Sequence, residues 1–251
     1  MRSTRETYTP GYTAAAVDFM ARRTADSHAA FFRPYLKRGM RLLDCGCGPG
    51  SITAGLARRV NPGTVIGVDL GGPQLKRARD RAQAEGVAAT FLEASVYKLP
   101  FGECEFDAVF SHALFEHLSE PLQALTEIRR TLKPGGLIGL RSPDWGGFVL
   151  HPWSEDIAGA LAEYQTLQLS NGGDVRAGRK LAAWLRAAAF DRVTPSASYE
   201  IYPEAGLIAG YLAQQLDEKG RTESAEALRE WSRVPDAMFA QAWFEAVGDK
   251  R

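Results

Sequence analysis

The sequence predicts an α/β fold: a doubly wound, mainly parallel sheet with helices on both faces and a partly helical cap. Three observations predict it. Short apolar, β-branched runs alternate with helical stretches from Arg41 to Arg141. A glycine-rich turn, Gly46-Cys47-Gly48-Pro49-Gly50, joins the first run to the first helix of that series. An acid stands near the end of each of the first two runs, Asp44 and Asp69.

The elements follow in order. Thr13 to Leu36 is Ala-rich, with Val17, Met20, Phe31, Phe32 and Leu36 apolar, and reads as helix. Pro34 bends or ends it, because a proline inside a helix loses a backbone bond. Ahead of it, Tyr8 and Tyr12 flank the turn signal Thr9-Pro10-Gly11. Arg41 to Cys45 reads as a strand and Ser51 to Val60 as a helix. "TVIGVDL", Thr64 to Leu70, is a buried strand, and Pro73 to Glu85 a helix with its proline in the first turn. Ala89 to Glu93 and Phe106 to Ser111 are strands. Pro121 to Leu132 is a helix stopped by "KPGG", and Leu137 to Arg141 is the next strand. This spacing means right-handed βαβ units. After Ser142, "PDWGGFVLHPWSED" reads as an aromatic loop. Ile157 to Leu169 and Arg176 to Ala189 are helices around a "SNGGD" break, and Arg192 to Tyr202 alternates like a late strand. Two C-terminal helices are expected, Glu204 to Lys219 and Glu223 to Val247.

Composition narrows the function. The 251 residues carry 30 basic and 30 acidic side chains, a formal charge of zero, which speaks against a nucleic-acid binder working through a broad basic field. Three cysteines, Cys45, Cys47 and Cys104, are too few and odd in number for a disulfide framework. With four histidines in the chain, no metal site is expected. No apolar stretch approaches the ~18–20 residues of a membrane span, so no membrane partner is expected. The polar start "MRSTRETYTPGY" lacks a signal peptide's apolar core, and the expected location is cytoplasmic.

A strand running into a glycine loop and then a helix is a nucleotide-binding turn. Glycines let a ligand approach the backbone, and the helix N-terminus offers free N–H groups. A dinucleotide site wants G-x-G-x-x-G, and here Ser51 stands where the third glycine would be. A pyrophosphate also disfavours a carboxylate beside it. Asp44 therefore suits a cationic ligand, an ammonium or a sulfonium. Asp69, closing the second strand, suits the two hydroxyls of a ribose.

"LLDCGCGPGSITAGLA", "VIGVDL", "SVYKLPF", "FDAVFSHALFEHL" and "LKPGGLI" occur in that order and at fitting distances. Together they resemble the class I S-adenosylmethionine-dependent methyltransferases, in the small-molecule and quinone-type (type 11) branch, whose core is Rossmann-like. The resemblance is strong from Leu36 to Ser142 and looser through "GGDVRAGRKLAAWLRAAAF". It implies S-adenosylmethionine as cofactor. Gly46, Cys47, Gly48 and Gly50 would pass under its methionine part, with Asp44 near the ammonium. Asp69 would hold the ribose and Leu70 would rest on the adenine. Ser95 stands where the family often has an acid for the adenine amine, so Ser95 and the backbone of Val96 would take that contact, with Tyr97 nearby. Ser111 and His112, after the fourth strand, would face the methionine and the methyl group.

The resemblance also implies a division of the chain: 1–36 a helical lid segment, 37–142 the cofactor-binding core, 143–175 an insertion shaping the substrate pocket, and 176–251 the rest of the core with C-terminal helices. Methyl transfer from a sulfonium needs alignment and water exclusion more than covalent machinery. His112 is the first candidate for a base, because it follows a strand at the carboxyl edge where ligands bind. His117, beside Glu116, reads as structural. Arg141, Asp144 and Trp145 are candidate substrate residues at the same edge. Tyr8 and Tyr12 are candidates too, since aromatic faces attract a sulfonium. The expected partner is a small organic methyl acceptor, aromatic or hydrophobic, methylated on oxygen, nitrogen or carbon by a monomer or homodimer. Two alternatives remain at this level. One is an NAD(P)-dependent oxidoreductase, against which stand Asp44, Ser51 and the absence of a Tyr-x-x-x-Lys spacing. The other is a non-catalytic S-adenosylmethionine-binding protein.

Overall fold

The computed structural model describes residues 6–202 and 204–251. The first five residues of the expected lid segment lie outside the described residues. Seven strands form one sheet in the order β3-β2-β1-β4-β5-β7-β6. The strands are β1 (Arg41–Cys45), β2 (Thr64–Asp69), β3 (Ala89–Glu93), β4 (Phe106–His112), β5 (Leu132–His151), β6 (Asp191–Ile201) and β7 (Met238–Asp249). β1 to β5 pair in parallel, and β7 runs antiparallel between β5 and β6. The chain reverses its strand order between β1 and β4, and a crevice opens there at the carboxyl ends of the strands.

Helices cover both faces. On one side Phe32 and the buried face of α3 (Ser51–Val60) pack on Leu42, Val65 and Phe110. On the other, α5 (Pro121–Thr131) and α7 (Ala177–Ala187) bury Leu125, Ile128, Leu181 and Leu185 against Leu43, Val109 and Leu140. α4 (Gly72–Ala84) lies along β2 and β3 through Leu75, Ala78 and Phe91. The fit over β5 is close: a Cβ on Gly139 would lie 2.5 Å from the Phe32 ring. Gly139→Ala is therefore expected to lower stability by about 1–3 kcal/mol, the usual cost of overpacking, read as a lower Tm.

Three expectations are corrected. The helix over Thr13 to Leu36 is broken into α1 (Ala14–Met20), α2 (Ala25–His28) and a 3₁₀ turn at Arg33–Tyr35. Thr13 and Thr24 each cap a new start with a side-chain oxygen, so the chain restarts at Thr24 where periodicity alone reads on. The segment after Ser142 is not a loop: β5 continues to His151, with a register shift between Asp144 and Val149. The last expected helix divides into α9 (Thr222–Ser232) and β7. Nearly every residue of β7 is buried, and a strand covered on both faces loses the alternation that marks a strand in sequence.

A helical layer stands over the end of the sheet. α6 (Glu155–Ser170), α8 (Ala205–Asp217) and α9 pack together around Ile157, Leu161, Leu212 and Leu228, and reach the sheet through Trp145 and Phe239. α1 touches α8, which places the N-terminal segment between this layer and the crevice. Among the described residues no helix is long and apolar enough to cross a membrane.

Candidate functional site

The loop after β1 is built on backbone angles that side chains resist. Gly46, Gly48 and Gly50 have φ of 74°, 51° and 73°. The N–H groups of Gly46 and Cys47 donate to Val68 O at 2.8 and 3.1 Å, which ties the loop to β2. Gly50 caps α3 with no side-chain hydrogen bond, so the helix presents its N-terminal N–H groups to the crevice.

A cavity of 770 Å³ opens beside this loop, within the ~300–1,000 Å³ usual for cofactor and small-molecule sites. Its lining includes Tyr8, Tyr12, Asp44, Gly46, Cys47, Gly48, Asp69, Leu70, Ser95, Val96 and His112. Of the expected cofactor residues, Gly50 and Ser111 do not line it. Gly50 packs on Ala78, and Ser111 is buried, its hydroxyl donating to Cys45 O at 2.9 Å. Ser95 accepts from the Tyr97 N–H at 3.2 Å.

The two acids sit on one wall in different states. Asp69 accepts from the N–H of Gly48 at 2.9 Å on one oxygen and from Gly71 at 2.8 Å on the other. Burial still pushes its carboxyl up, while those N–H groups pull it back. Asp44 is 2% exposed and, among the described residues, accepts only the Thr53 hydroxyl, at 2.6 Å. Burial drives its carboxyl up to about 7. Across the pH range between its unfolded value and about 7, the folded chain therefore holds a proton that the unfolded chain has released. That lowers stability as pH rises through this window. Asp44→Asn keeps an acceptor for Thr53 and removes the penalty. It is expected to gain on the wild type between weakly acid and weakly alkaline pH, by up to roughly 3 kcal/mol. Parallel denaturant titrations of both proteins check this, and a difference that does not change with pH would remove Asp44 as the cause.

The N-terminal segment lies over the cavity. Tyr12 covers Gly71, where a Cβ would stand 2.6 Å from the Tyr12 ring. Tyr8 lies 5.4 Å from Tyr12 and edge-on to His117 at 4.9 Å. Glu6 pins the segment, accepting the Ser119 N–H and hydroxyl at 2.6 Å each and the Tyr97 hydroxyl.

At the end of β4 the expectation for His112 conflicts with its contacts. His112 pairs in register with Arg141, and Arg141 Nη1 donates to His112 Nε2 at 2.9 Å. A guanidinium only donates, so Nε2 is the accepting nitrogen and its lone pair is already used. Burial, then Arg23 and Arg141, hold this imidazole well below its ordinary range. Trp243 stacks on it at 4.8 Å. His112 is a wall of the cavity with no lone pair free for a substrate proton.

Arg141 and Asp144 do not line the cavity either. Arg141 is buried between His112 and Glu245, 3.3 Å from the latter. Asp144 is fully buried and receives Arg179 on both oxygens, at 2.6 and 2.7 Å. Trp145 lines a second, smaller cavity of 50 Å³, walled also by Phe19, Tyr164, Tyr202, Tyr211 and Trp243.

Sequence reasoning read His117 as structural and left it out of the site. Its ring lines both cavities. Nε2 stands 3.7 Å from Glu116 Oε1, while Nδ1 is buried and has no hydrogen-bond partner among the described residues. Burial pushes His117 down to about 3 and Glu116 up to about 7. Ser142 donates to Glu116 Oε2 at 2.8 Å. Ala113, between β4 and this pair, has a φ of 54°, a left-handed turn on a non-glycine residue that aims the following residues back at the cavity. The signal in the sequence is the adjacent Glu-His after a strand end. Only the position of Ser142 on β5 gives it meaning.

The site has the chemistry of a known group of proteins. A family model described as a methyltransferase domain matches residues 43–140, from β1 into β5. The chain is 32% identical over 186 residues to an uncharacterized methyltransferase of Schizosaccharomyces pombe, covering 70% of this chain and 66% of that one. It is 29% identical to the probable methyltransferase ltbC of Aspergillus luteorubrus, with 96% of each chain covered. The chain thus spans about two thirds of the first relative and nearly all of the second. Among solved structures, the YcgJ protein from Bacillus subtilis superposes with a TM-score of 0.67 at 19% identity, covering 90% of this chain and 98% of that one. At that identity the likeness shows the fold.

Proposed function

Because the chain belongs to the class I S-adenosylmethionine-dependent methyltransferases, in their type 11 branch, we propose that it methylates a small, flat, hydrophobic acceptor held beside the cofactor. The observation that carries the reading is the joining of Asp44, Asp69 and the left-handed glycine loop on one cavity wall. The residues fit the cofactor. Each Asp69 oxygen keeps capacity for a ribose hydroxyl beyond its single backbone bond. Asp44, buried with one neutral partner, gains a counter-charge from an ammonium. Gln74 Oε1, buried, unpartnered and on the same lining, adds an acceptor. A dinucleotide's pyrophosphate would lie against the Asp44 carboxylate.

The cofactor supplies an electrophilic methyl group on a sulfonium. The chain's own residues align and enclose. Gly46 and Gly48 let the ligand reach the backbone, Leu70 and Val96 offer an adenine surface, and Ser95 a polar contact. The segment from Glu6 to Tyr12 acts as a lid whose aromatic rings shield the cation from water. Trp145 and Tyr8 flank the acceptor. Asp144 serves by fixing Arg179 and the β5 bend. The free cysteines, Cys45, Cys47 and Cys104, support a cytoplasmic location.

Calorimetric titration with S-adenosylhomocysteine and with NAD tests the reading. Micromolar binding of the first and no heat from the second is expected. Heat from NAD alone would overturn it. Tight binding with no turnover on any acceptor would favour the non-catalytic alternative.

A further inference from the structure

The sheet is covered by α7 only part of the way along β5, β7 and β6. Gly178 of α7 seats on Phe244, its Cβ position 3.2 Å from Phe244 Cβ, and Ala246 beyond it packs with Leu181 and Leu185. Towards Met238 the same face of β7 runs on through Ala242 and Ala240, because alternate residues of a strand share a face. Tyr199 and Ile201 on β6 pair with these two in register, and Val149 on β5 pairs with Ala240. Leu150, Phe239 and Tyr202 point the other way, into the helical layer. Among the described residues no helix covers the Ala240 half of the face: Val149, Tyr199 and Ile201 are 48%, 58% and 63% exposed. Trp153, two residues past the end of β5, is 66% exposed. Val149, Trp153, Tyr199 and Ile201 line neither cavity. We infer that this face is where a second copy of the chain docks, sheet against sheet about a two-fold axis, with Arg176 of each copy set against the acidic corner of the other.

The face has the character of an interface centre. Large apolar side chains gathered in one exposed patch are uncommon on a surface that meets only water. The Tyr199 hydroxyl donates to Gly147 O on β5 at 2.9 Å, so the ring is held across β7 beside Ala242. A fixed aromatic ring loses little freedom on docking, which suits it to anchor a contact. The meeting is by the face and not by the edge. Pro195 and the register shift between Asp191 and Thr194 blunt the outer edge of β6 against a further strand.

Charge at the two ends of the face selects a second copy as the occupant. β5 and β6 both run antiparallel to β7, so their last residues lie at one end. Glu155 and Asp156 open α6 just past β5, and Glu204 follows β6. Arg176 stands at the other end, where α7 begins beside Trp145, whose N–H donates to Val175 O at 2.9 Å. From the Asp144 level to the His151 level the register advances from Ala242 to Met238, about 13 Å along the strand. The neighbouring charges at the α7 start are used within the chain, Arg179 by Asp144 and Lys180 by Asp174. Arg176, Glu155, Asp156 and Glu204 have no ion-pair partner among the described residues. A two-fold axis through the face turns one copy end for end over the other. It lays apolar surface on apolar surface and brings a free cation onto free carboxylates, twice by symmetry.

Sedimentation velocity on the full chain between about 1 and 100 μM, the weak end of specific association, tests this. Wild type is expected to sediment as a dimer. Ile201→Glu is expected to raise the dimer dissociation constant by about 10²-fold, because a carboxylate would be buried at the centre without a partner. Arg176→Glu, on an exposed helix start, is expected to raise it by about tenfold through like-charge contact. Adding Glu155→Lys and Asp156→Lys to Arg176→Glu should recover most of that loss. Circular dichroism like that of wild type shows that a variant has folded, and Arg176→Glu with its charge-reversed rescue carries the test should Ile201→Glu fail to fold. Wild type that is monomeric at the highest concentration would overturn the inference, and so would pelleting of that monomer with phosphatidylcholine vesicles, which would give the face to a bilayer. A dimer that survives both single substitutions would lie elsewhere on the molecule and overturn it as well. Loss in Arg176→Glu without recovery in the triple variant would overturn the end-for-end pairing.

Discussion

Asp69→Ala is expected to weaken S-adenosylhomocysteine binding by about 10²–10⁴-fold. The carboxylate has two tasks. It would accept two ribose hydroxyls, and hydrogen bonds to a charged group contribute about 1.5–3 kcal/mol each, together about 3–6 kcal/mol. It also accepts the N–H groups of Gly48 and Gly71, so its loss frees the loop that the cofactor must lie on. Removing a buried charge lifts a desolvation cost, so the variant should fold with little change in Tm. Asp69→Asn keeps one acceptor and should fall between. Calorimetry on both, with thermal unfolding as the control for folding, checks this. A folded Asp69→Ala protein with unaltered affinity would place the ribose elsewhere.

Gly50→Ala is expected to cost about 2–5 kcal/mol of stability and to remove measurable cofactor binding. Gly50 is left-handed at φ 73°, and an added Cβ would stand 2.8 Å from Ala78 Cβ and 3.0 Å from Ala78 Cα. The left-handed backbone costs about 1–2 kcal/mol for a residue with a Cβ, and overpacking adds about 1–3. Gly86 separates the two contributions: its φ is 61°, and nothing lies within 4 Å of its Cβ position. Gly86→Ala carries the backbone cost alone. At about 2–4 °C per kcal/mol for a chain of this size, the two variants should be well separated in Tm. Equal losses would mean that α4 gives way at Ala78 without cost. Because Gly50 also caps α3, displacing it moves the N–H groups offered to the ligand, which is why binding should fall with stability.

The part of the molecule legible in the sequence is the part written by local rules. β1, β3, α3 and the first residue of α5 fall where spacing, proline and glycine place them. The central parallel strands are short and apolar, and the glycine loop announces itself because its left-handed backbone strains a residue that carries a Cβ. Asp44 and Asp69 are legible for the same reason: each stands at a strand end that opens on the crevice in any sheet of this kind.

Tertiary structure decided the rest, wherever the partner of a group lies far along the chain. β7 reads as helix because both of its faces are covered, and it becomes a strand because β5 and β6 each leave it an edge to pair with. Arg141, across the β4–β5 ladder, uses the lone pair that would have made His112 a base. Ser142 on β5 fixes Glu116 beside His117, whose Nδ1 is buried without a hydrogen-bond partner among the described residues. The sequence by itself determined the cofactor wall, because backbone angle and strand-end position are local properties. The acceptor wall was decided only in three dimensions, because whether a histidine is a base depends on which of its nitrogens is already bonded.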